Sequence, residues 1–338
     1  MSASASSPAS FDLIGVGSPI MDLLAPVPLE FLAQHVAGDK GGMVLVNDAE
    51  MSAILAHLPA APETSSGGSA ANATVNAARL GLRATYLGKL GNCAVAAAYR
   101  ARFAELGIDT SRFKTGDVPN ARSLILTTPD ADRTMRTDLG AAMTLSPDEI
   151  TAADFASCRH LHMEGYLVFN EALADAVLAA ARAAGCTVSV DLASFEVINA
   201  TRPWIFKQLA TGIDIVFANE DEIRALFEDK TSGFDELARR LASHGVTAAV
   251  KVGKDGAWIA QGDELHRIEP VAVANVIDTN GAGDSWAAGF LSAHLRGKSL
   301  AESGRIASHV GAATVQHLGP IIPDDQFKAL TERLATLA

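Results

Sequence analysis

Cysteine is scarce in this chain of 338 residues: Cys93, Cys158 and Cys186 stand far apart, odd in number and without a CxxC pair. That speaks against a disulfide framework and a cysteine-based zinc site, and it fits a reducing compartment. Basic residues are outnumbered, 27 Lys and Arg against 39 Asp and Glu, for a formal charge of −12. Nonspecific affinity for nucleic acid needs cations that neutralise phosphates, so no nucleic-acid partner is expected. A small anion, which needs only local donors, remains compatible. Long apolar runs are missing too: no stretch approaches the roughly 18 to 20 residues that span a bilayer. The opening MSASASSPAS has neither a basic start nor an apolar h-region and reads as a disordered tail over 1–10, not a signal peptide. A soluble, cytoplasmic chain without membrane contact is expected. Also absent are a GxSxG elbow, a Walker GxxxxGK(S/T) loop, protein-kinase HRD and DFG segments and a helical HExxH.

With 49% apolar and 20% charged residues, the chain has the composition of a globular protein. Short β-rich runs alternate with helical stretches, the pattern of a parallel sheet covered by helices. Strands are predicted at 11–16, 84–88, 160–163, 186–191, 213–218 and 247–252. Asn170 is placed to cap a helix running to Gly185, and Ser146-Pro147-Asp148-Glu149 carries a capping box with proline at the first helical position. Two regions, 26–46 and 119–139, hold extended pieces (MVLV, SLILTT, RTMRT) without a long helix between them. They predict a separate antiparallel lid attached by more than one crossing.

The most informative segment is Asp278-Thr279-Asn280-Gly281-Ala282-Gly283-Asp284 ahead of the helical SWAAGFLSAHLR. Gly281 and Gly283 allow close approach, so the N–H groups of 281–284 can converge on an anion at a helix N-terminus. Such a nest suits the charge on a phosphoryl group in transfer. Asp284 beside it is either a helix N-cap or a general base facing an acceptor hydroxyl. In SSGGSAANATVNAARLG, Gly67 and Gly68 open a small-residue helix that carries Asn72; it reads as a polyol site or as a close-packed helix behind a glycine turn. GVGSPIMD mimics a dinucleotide fingerprint, but Ile20 stands where the third glycine belongs. Asp22 is then either a turn aspartate or an acceptor for vicinal sugar hydroxyls. Asn219 to Glu222 begins a helix with three acids, favourable to its dipole; Glu222 could hold a water of a hydrated Mg²⁺. His160 and His162 alternate on a strand and read as core histidines rather than metal ligands.

Together, GGSAANATVNAARLG (67–81) and DTNGAGDSWAAGFL (278–291) resemble the two signatures of the ribokinase-like (PfkB) sugar and nucleoside kinases, with support from GVGSPIMD, the Asn219–Glu222 pattern and KVGKDGA. The resemblance spans about residues 11–335. It implies a ribokinase-like three-layer α/β sandwich with a mainly parallel central sheet: a large domain of 11–25, 47–118 and 140–338, closed by a small β lid of 26–46 and 119–139. It implies ATP-dependent phosphorylation of a primary hydroxyl with Mg²⁺, leaves open a monovalent cation such as K⁺, and leaves the chain a monomer or a homodimer through the lid. By the same resemblance Asp284 is the catalytic base and Gly281, Ala282 and Gly283 form the anion hole. Arg133 reaches the transferring phosphate. Asp22, Gly67, Gly68 and Asn72 bind sugar hydroxyls; Asn219 and Glu222 organise Mg²⁺ and phosphates; Gly253 and Gly256 line the nucleotide, and Ser308 lies on the adenine side. KGGMVLV (40–46) and ADRTMRTDLGAA (131–142) look more like adenosine or nucleoside kinases than ribokinase, so a base would stack on Tyr166, Phe169 or Leu139. Cys93 replaces an Asp usual after GxxGN. The expected substrate is a ribonucleoside, adenosine first, with a free sugar such as ribose or fructose as the alternative. A nucleotide-binding regulator without turnover and a dinucleotide-dependent oxidoreductase are the competing classes.

Overall fold

All six strands read from the β-rich runs form, with ends that move by one or two residues. In the computed structural model, which describes residues 11–38, 40, 42–130 and 133–336, they are Leu13–Val16, Ala84–Leu87, His160–Glu164, Thr187–Asp191, Ile215–Ala218 and Thr247–Lys251. They run parallel, with Leu13–Val16 between Ala84–Leu87 and His160–Glu164 and the rest following in chain order. Ala257–Gln261 and Glu264–Ile268 extend this into an eight-stranded sheet by antiparallel pairing. The tail expected over 1–10 lies outside the described residues.

The strands are apolar on both faces because both are covered. Along Ile215–Ala218, Val216 and Ala218 enter one core while Ile215 and Phe217 enter the other. The first core packs against Glu171–Ala183, Phe195–Leu209, Glu220–Phe227 and Phe234–Ala242; the second packs against Ser69–Arg79, Ala282–His294 and Leu300–Thr314. The result is a three-layer, ribokinase-like α/β sandwich. Each fully buried large side chain, Phe217 or Phe290 for example, contributes about 1.5 to 3 kcal/mol by leaving water. Parallel strands share one carboxyl edge, where α/β folds place ligands. Here that edge carries Gly17, Glu164, Asp191, Asn219 and Lys251.

The second sheet corrects the lid expectation. Its five strands, in order, are Met43–Leu45, Arg133–Asp138, Arg122–Thr127, Ile20–Pro26 and Glu63–Gly67. It is mixed rather than antiparallel: Met43–Leu45 pairs parallel to Arg133–Asp138, and Ile20–Pro26 pairs parallel to Arg122–Thr127. Two strands come from 20–26 and 63–67, which the sequence reading left with the large domain, and a helix, Leu29–His35, sits inside the 26–46 region. The capping box at Ser146 forms but initiates a single 3₁₀ turn, Pro147–Glu149. Among the described residues no helix is long and apolar enough to cross a membrane.

Candidate active site

Gly281 stands at φ +70° immediately before the Ala282–His294 helix, and a Cβ there would lie 2.3 Å from Pro320 Cβ. Glycine is therefore required twice over, by backbone and by space. Ala282 N–H closes a turn on Thr279 and Ser285 N–H bonds Gly281, whereas among the described residues none accepts from the N–H groups of Gly283 or Asp284. These are orphan donors at the positive end of a 13-residue helix, an arrangement that receives anions.

Asp284 is half-buried in the first turn. Ser69 Oγ donates to its Oδ1 at 2.8 Å and Asn72 Nδ2 to its Oδ2 at 2.9 Å, which joins segments more than 200 residues apart in the chain. Burial pushes the carboxyl up to about 6, helped by the charge of Asp191 and opposed by both hydrogen bonds and Lys251. A carboxylate so tuned is ionised at neutral pH yet basic enough to take a proton.

Asp22 is buried, and its carboxyl is pushed up to about 7 by desolvation and then by the Asp284 charge. A Cβ on Gly67 would fall 2.4 Å from Asp22 Oδ2, so the glycine leaves room for this carboxylate; Gly68, at φ +100°, turns the chain into the Ser69–Arg79 helix. Asn72 Oδ1 is buried without a partner among the described residues, an acceptor aimed at no protein donor. Glu164, which the motifs did not flag, accepts from Ser18 N–H at 2.8 Å and Ala70 N–H at 3.3 Å and so ties these loops together. Burial raises its carboxyl to about 7 against those two bonds. A Cβ on Gly17 would sit 2.2 Å from Glu164 Oε2, and one on Gly15 would meet Thr74 Oγ1 at 2.0 Å. Both glycines of the mock dinucleotide fingerprint are thus explained by packing, and the oxidoreductase class loses its basis.

Next to the nest, Lys251 Nζ pairs with Asp191 Oδ2 at 2.7 Å. Glu222 is buried, and both its oxygens accept from Asn219, from the main-chain N–H at 2.8 Å and from Nδ2 at 2.7 Å, in a reciprocal capping box. Desolvation, then the Asp191 charge, raises Glu222 to about 7 while Lys251 pulls it down. Among the described residues no three His, Cys, Asp or Glu side chains converge as direct ligands of one ion. The charges of Asp191, Glu222 and Asp284 all act on the Lys251 ammonium, and each Glu222 oxygen retains a second lone pair that could accept from a water of a hydrated divalent cation. Gly253 and Gly256, at φ +45° and +91°, make the turn that follows Lys251.

Arg133 is found on Asp278, with Nη1 to Oδ1 at 2.7 Å, and Asp278 also accepts from Asn280 and Gly319 N–H. The small sheet is thereby pinned to the loop that builds the nest. Ser308 differs from expectation: it is buried, and its Oγ faces Trp286 Nε1 at 3.4 Å, because its side of the helix packs on Ala282–His294. His309, one residue on, instead lines a cavity of about 400 Å³ with Val273, Ala312, Gln316, Leu330 and Arg333. Tyr166 and Phe169 are 44% and 60% exposed in the turn after His160–Glu164, and Phe195, missed in the sequence, is 47% exposed after Thr187–Asp191. Leu139 is half-buried in a second cavity of about 470 Å³ beside Leu45 and Met143. His160 and His162 are core residues bonded to Thr187 and Ser189. Cys93 caps the Ala94–Glu105 helix and accepts from Asn120 N–H at 3.4 Å. Burial raises the thiol, but the amides of Asn120, Ala96 and Val95 outweigh it and hold it below the ordinary value.

Comparison with known proteins agrees with this geometry. The model of the pfkB family of carbohydrate kinases matches residues 44–326. An adenosine kinase of Saccharomyces cerevisiae is 25% identical over 93% of this chain and 98% of its own. Among solved structures, a probable sugar kinase from Rhizobium etli superposes with a TM-score of 0.84 at 28% identity, covering 98% of this chain and 100% of its own. An adenosine kinase from Sinorhizobium meliloti gives 0.83 at 30% identity, covering 96% and 100%. The helix-borne nest, its carboxylate and, apart from Gly17, the sheet edge fall inside the residues that the family model matches: the chain belongs to the pfkB family of carbohydrate kinases and is a sugar or nucleoside kinase.

Proposed function

We propose that the protein transfers the terminal phosphoryl group of ATP to the primary 5′-hydroxyl of a ribonucleoside, adenosine first. The observation that carries the chemistry is Asp284, held by Ser69 and Asn72 at the mouth of the orphan-donor nest. Asp22 and the unpartnered Asn72 Oδ1 receive the sugar hydroxyls and aim the primary hydroxyl at Asp284. Asp284 takes that proton as the acceptor oxygen bonds phosphorus and the bridging bond to ADP breaks. The N–H groups of Gly283 and Asp284 receive the charge that develops on the phosphoryl oxygens. Glu222 and Asn219 would hold Mg²⁺ through water, and the ion would supply charge neutralisation to the nucleotide phosphates. Ordering by the small sheet, which Arg133 fastens at Asp278, excludes water. The cavity beside His309 takes the adenine of ATP.

The nucleoside reading rests on the exposed rings of Tyr166, Phe169 and Phe195. A free sugar offers them little apolar face to cover, whereas a purine offers a flat one. The adenosine kinases that align over nearly the whole chain support the same choice. A free-sugar kinase acting on ribose or fructose is the second reading, favoured by the polar set of Asp22 and Asn72 and by the R. etli relative. ADP release measured with adenosine, inosine, guanosine, ribose and fructose separates them. The proposal expects the highest kcat/KM with adenosine and a Tyr166→Ala variant that raises KM for nucleosides. A higher kcat/KM with ribose or fructose overturns it.

A further inference from the structure

Lys251 ends the strand Thr247–Lys251 at the carboxyl edge of the sheet, following buried Ala248, Ala249 and Val250. Its side chain is 13% exposed, and its Nζ lies 3.2 Å from the point where a Cβ of Gly283 would sit, directly against the nest. Gly283 has no left-handed φ to require a glycine; what its missing Cβ leaves is the space into which the ammonium approaches. The N–H groups of Gly283 and Asp284 and the Lys251 ammonium are therefore donors gathered around one point.

An ion pair with Asp191 alone explains this lysine poorly. Burying two charges is costly, and an apolar pair of similar volume generally serves stability as well or better. Asp191 instead works as a holder: its carboxylate fixes the ammonium at 2.7 Å, in the place where it meets the open side of Gly283. A cation held in this way beside orphan amides is preorganised for an anion.

We propose that Lys251 is a catalytic residue, its ammonium meeting a non-bridging oxygen of the phosphoryl group in transfer from the sheet side of the nest. The proton balance is unchanged by it: the acceptor proton goes to Asp284, the P–O bond to the nucleoside diphosphate breaks, and Lys251 keeps all its protons throughout. The inference rests on the phosphotransferase chemistry and not on which alcohol accepts, so the substrate panel above stands or falls separately.

The test compares Lys251→Met and Lys251→Arg with wild type in the full chain with Mg²⁺. Steady-state turnover is measured with the best acceptor of the panel. Independently of any acceptor, binding of ADP alone and of ADP with aluminium fluoride, a mimic of the transferring group, is measured by calorimetry. The Met variant is expected to lose about a hundredfold in kcat with acceptor KM within threefold. It should bind ADP within threefold of wild type but ADP with aluminium fluoride at least tenfold more weakly, and Arg should restore part of both losses. A Met variant with kcat and aluminium fluoride affinity within threefold of wild type overturns the proposal. So does a Met-variant loss that falls equally on ADP binding and on ADP with aluminium fluoride and comes with a lowered melting temperature, for that is the mark of a packing role.

Discussion

Replacing Asp22 by asparagine should stabilise the unliganded protein while impairing it as a catalyst, and the gain should depend on pH in a direction fixed by the geometry. Asp22 is buried beside Gly67, and its carboxyl stands at about 7 instead of the ordinary 3.8, through desolvation and the charge of Asp284. The folded chain therefore binds more protons here than the unfolded chain between pH 3.8 and about 7, and by linkage its stability falls as pH rises across that window. Carrying the carboxyl that far corresponds to about 4 kcal/mol at full ionisation. An asparagine still buries a polar amide, so about 2 to 3 kcal/mol of this should be recovered. At about 2.1 cal/mol/K per residue over 338 residues, that raises Tm by about 3 to 4 °C. Scanning calorimetry of both proteins from pH 4 to 8 should show the Tm gap opening from pH 4 and levelling above pH 7. Acceptor KM should meanwhile rise about 10- to 100-fold, the worth of one charge-assisted hydrogen bond. A Tm gap that stays constant with pH refutes the reasoning, since Asp22 would then be ionised at no cost.

Two other substitutions probe the frame around the site. Gly281→Ala forces a Cβ onto Pro320 at a left-handed φ; about 2 to 4 kcal/mol of destabilisation is expected, seen as a lowered Tm together with a loss of kcat, and an unchanged Tm contradicts the turn's role. His162 is held near 4 by burial, with Asp191 opposing and Lys251 adding to the effect. The unfolded chain then binds more protons between about 6.5 and 4, so stability is lost as pH falls through that range. His162→Gln should flatten this acid limb in a Tm-against-pH series, and an unaltered limb rejects the assignment.

The central sheet was legible because its parallel strands are short apolar runs, buried on both faces and punctuated by capped helices such as the one Asn170 starts. The nest was legible for a local reason as well, since two glycines and an acid lie within four residues. What escaped the sequence depends on contacts between distant segments. Ile20–Pro26 joins the small sheet through parallel pairing with Arg122–Thr127, a crossing of about 100 residues with no turn to announce it. Glu164, Asp191 and Lys251 are single charged residues at strand ends, and only the parallel registry, Glu164 beside Asp191, brings them to one edge. Which residue of the Leu300–Thr314 helix faces the cavity is likewise set by packing: Ser308 turns inward to Trp286, and His309, one residue on, lines the cavity.

The most direct measurement is the pH dependence of kcat/KM for wild type and Asp284→Asn. Asparagine can keep the local contacts, with its oxygen towards Asn72 and its amide towards Ser69 Oγ, but it cannot take a proton. Wild type should rise with pH to a plateau through a midpoint near 6, whereas the variant should lose about two to four powers of ten and show no such limb. A variant that retains both the rate and the acidic limb of wild type would contradict the assignment of Asp284 as the base.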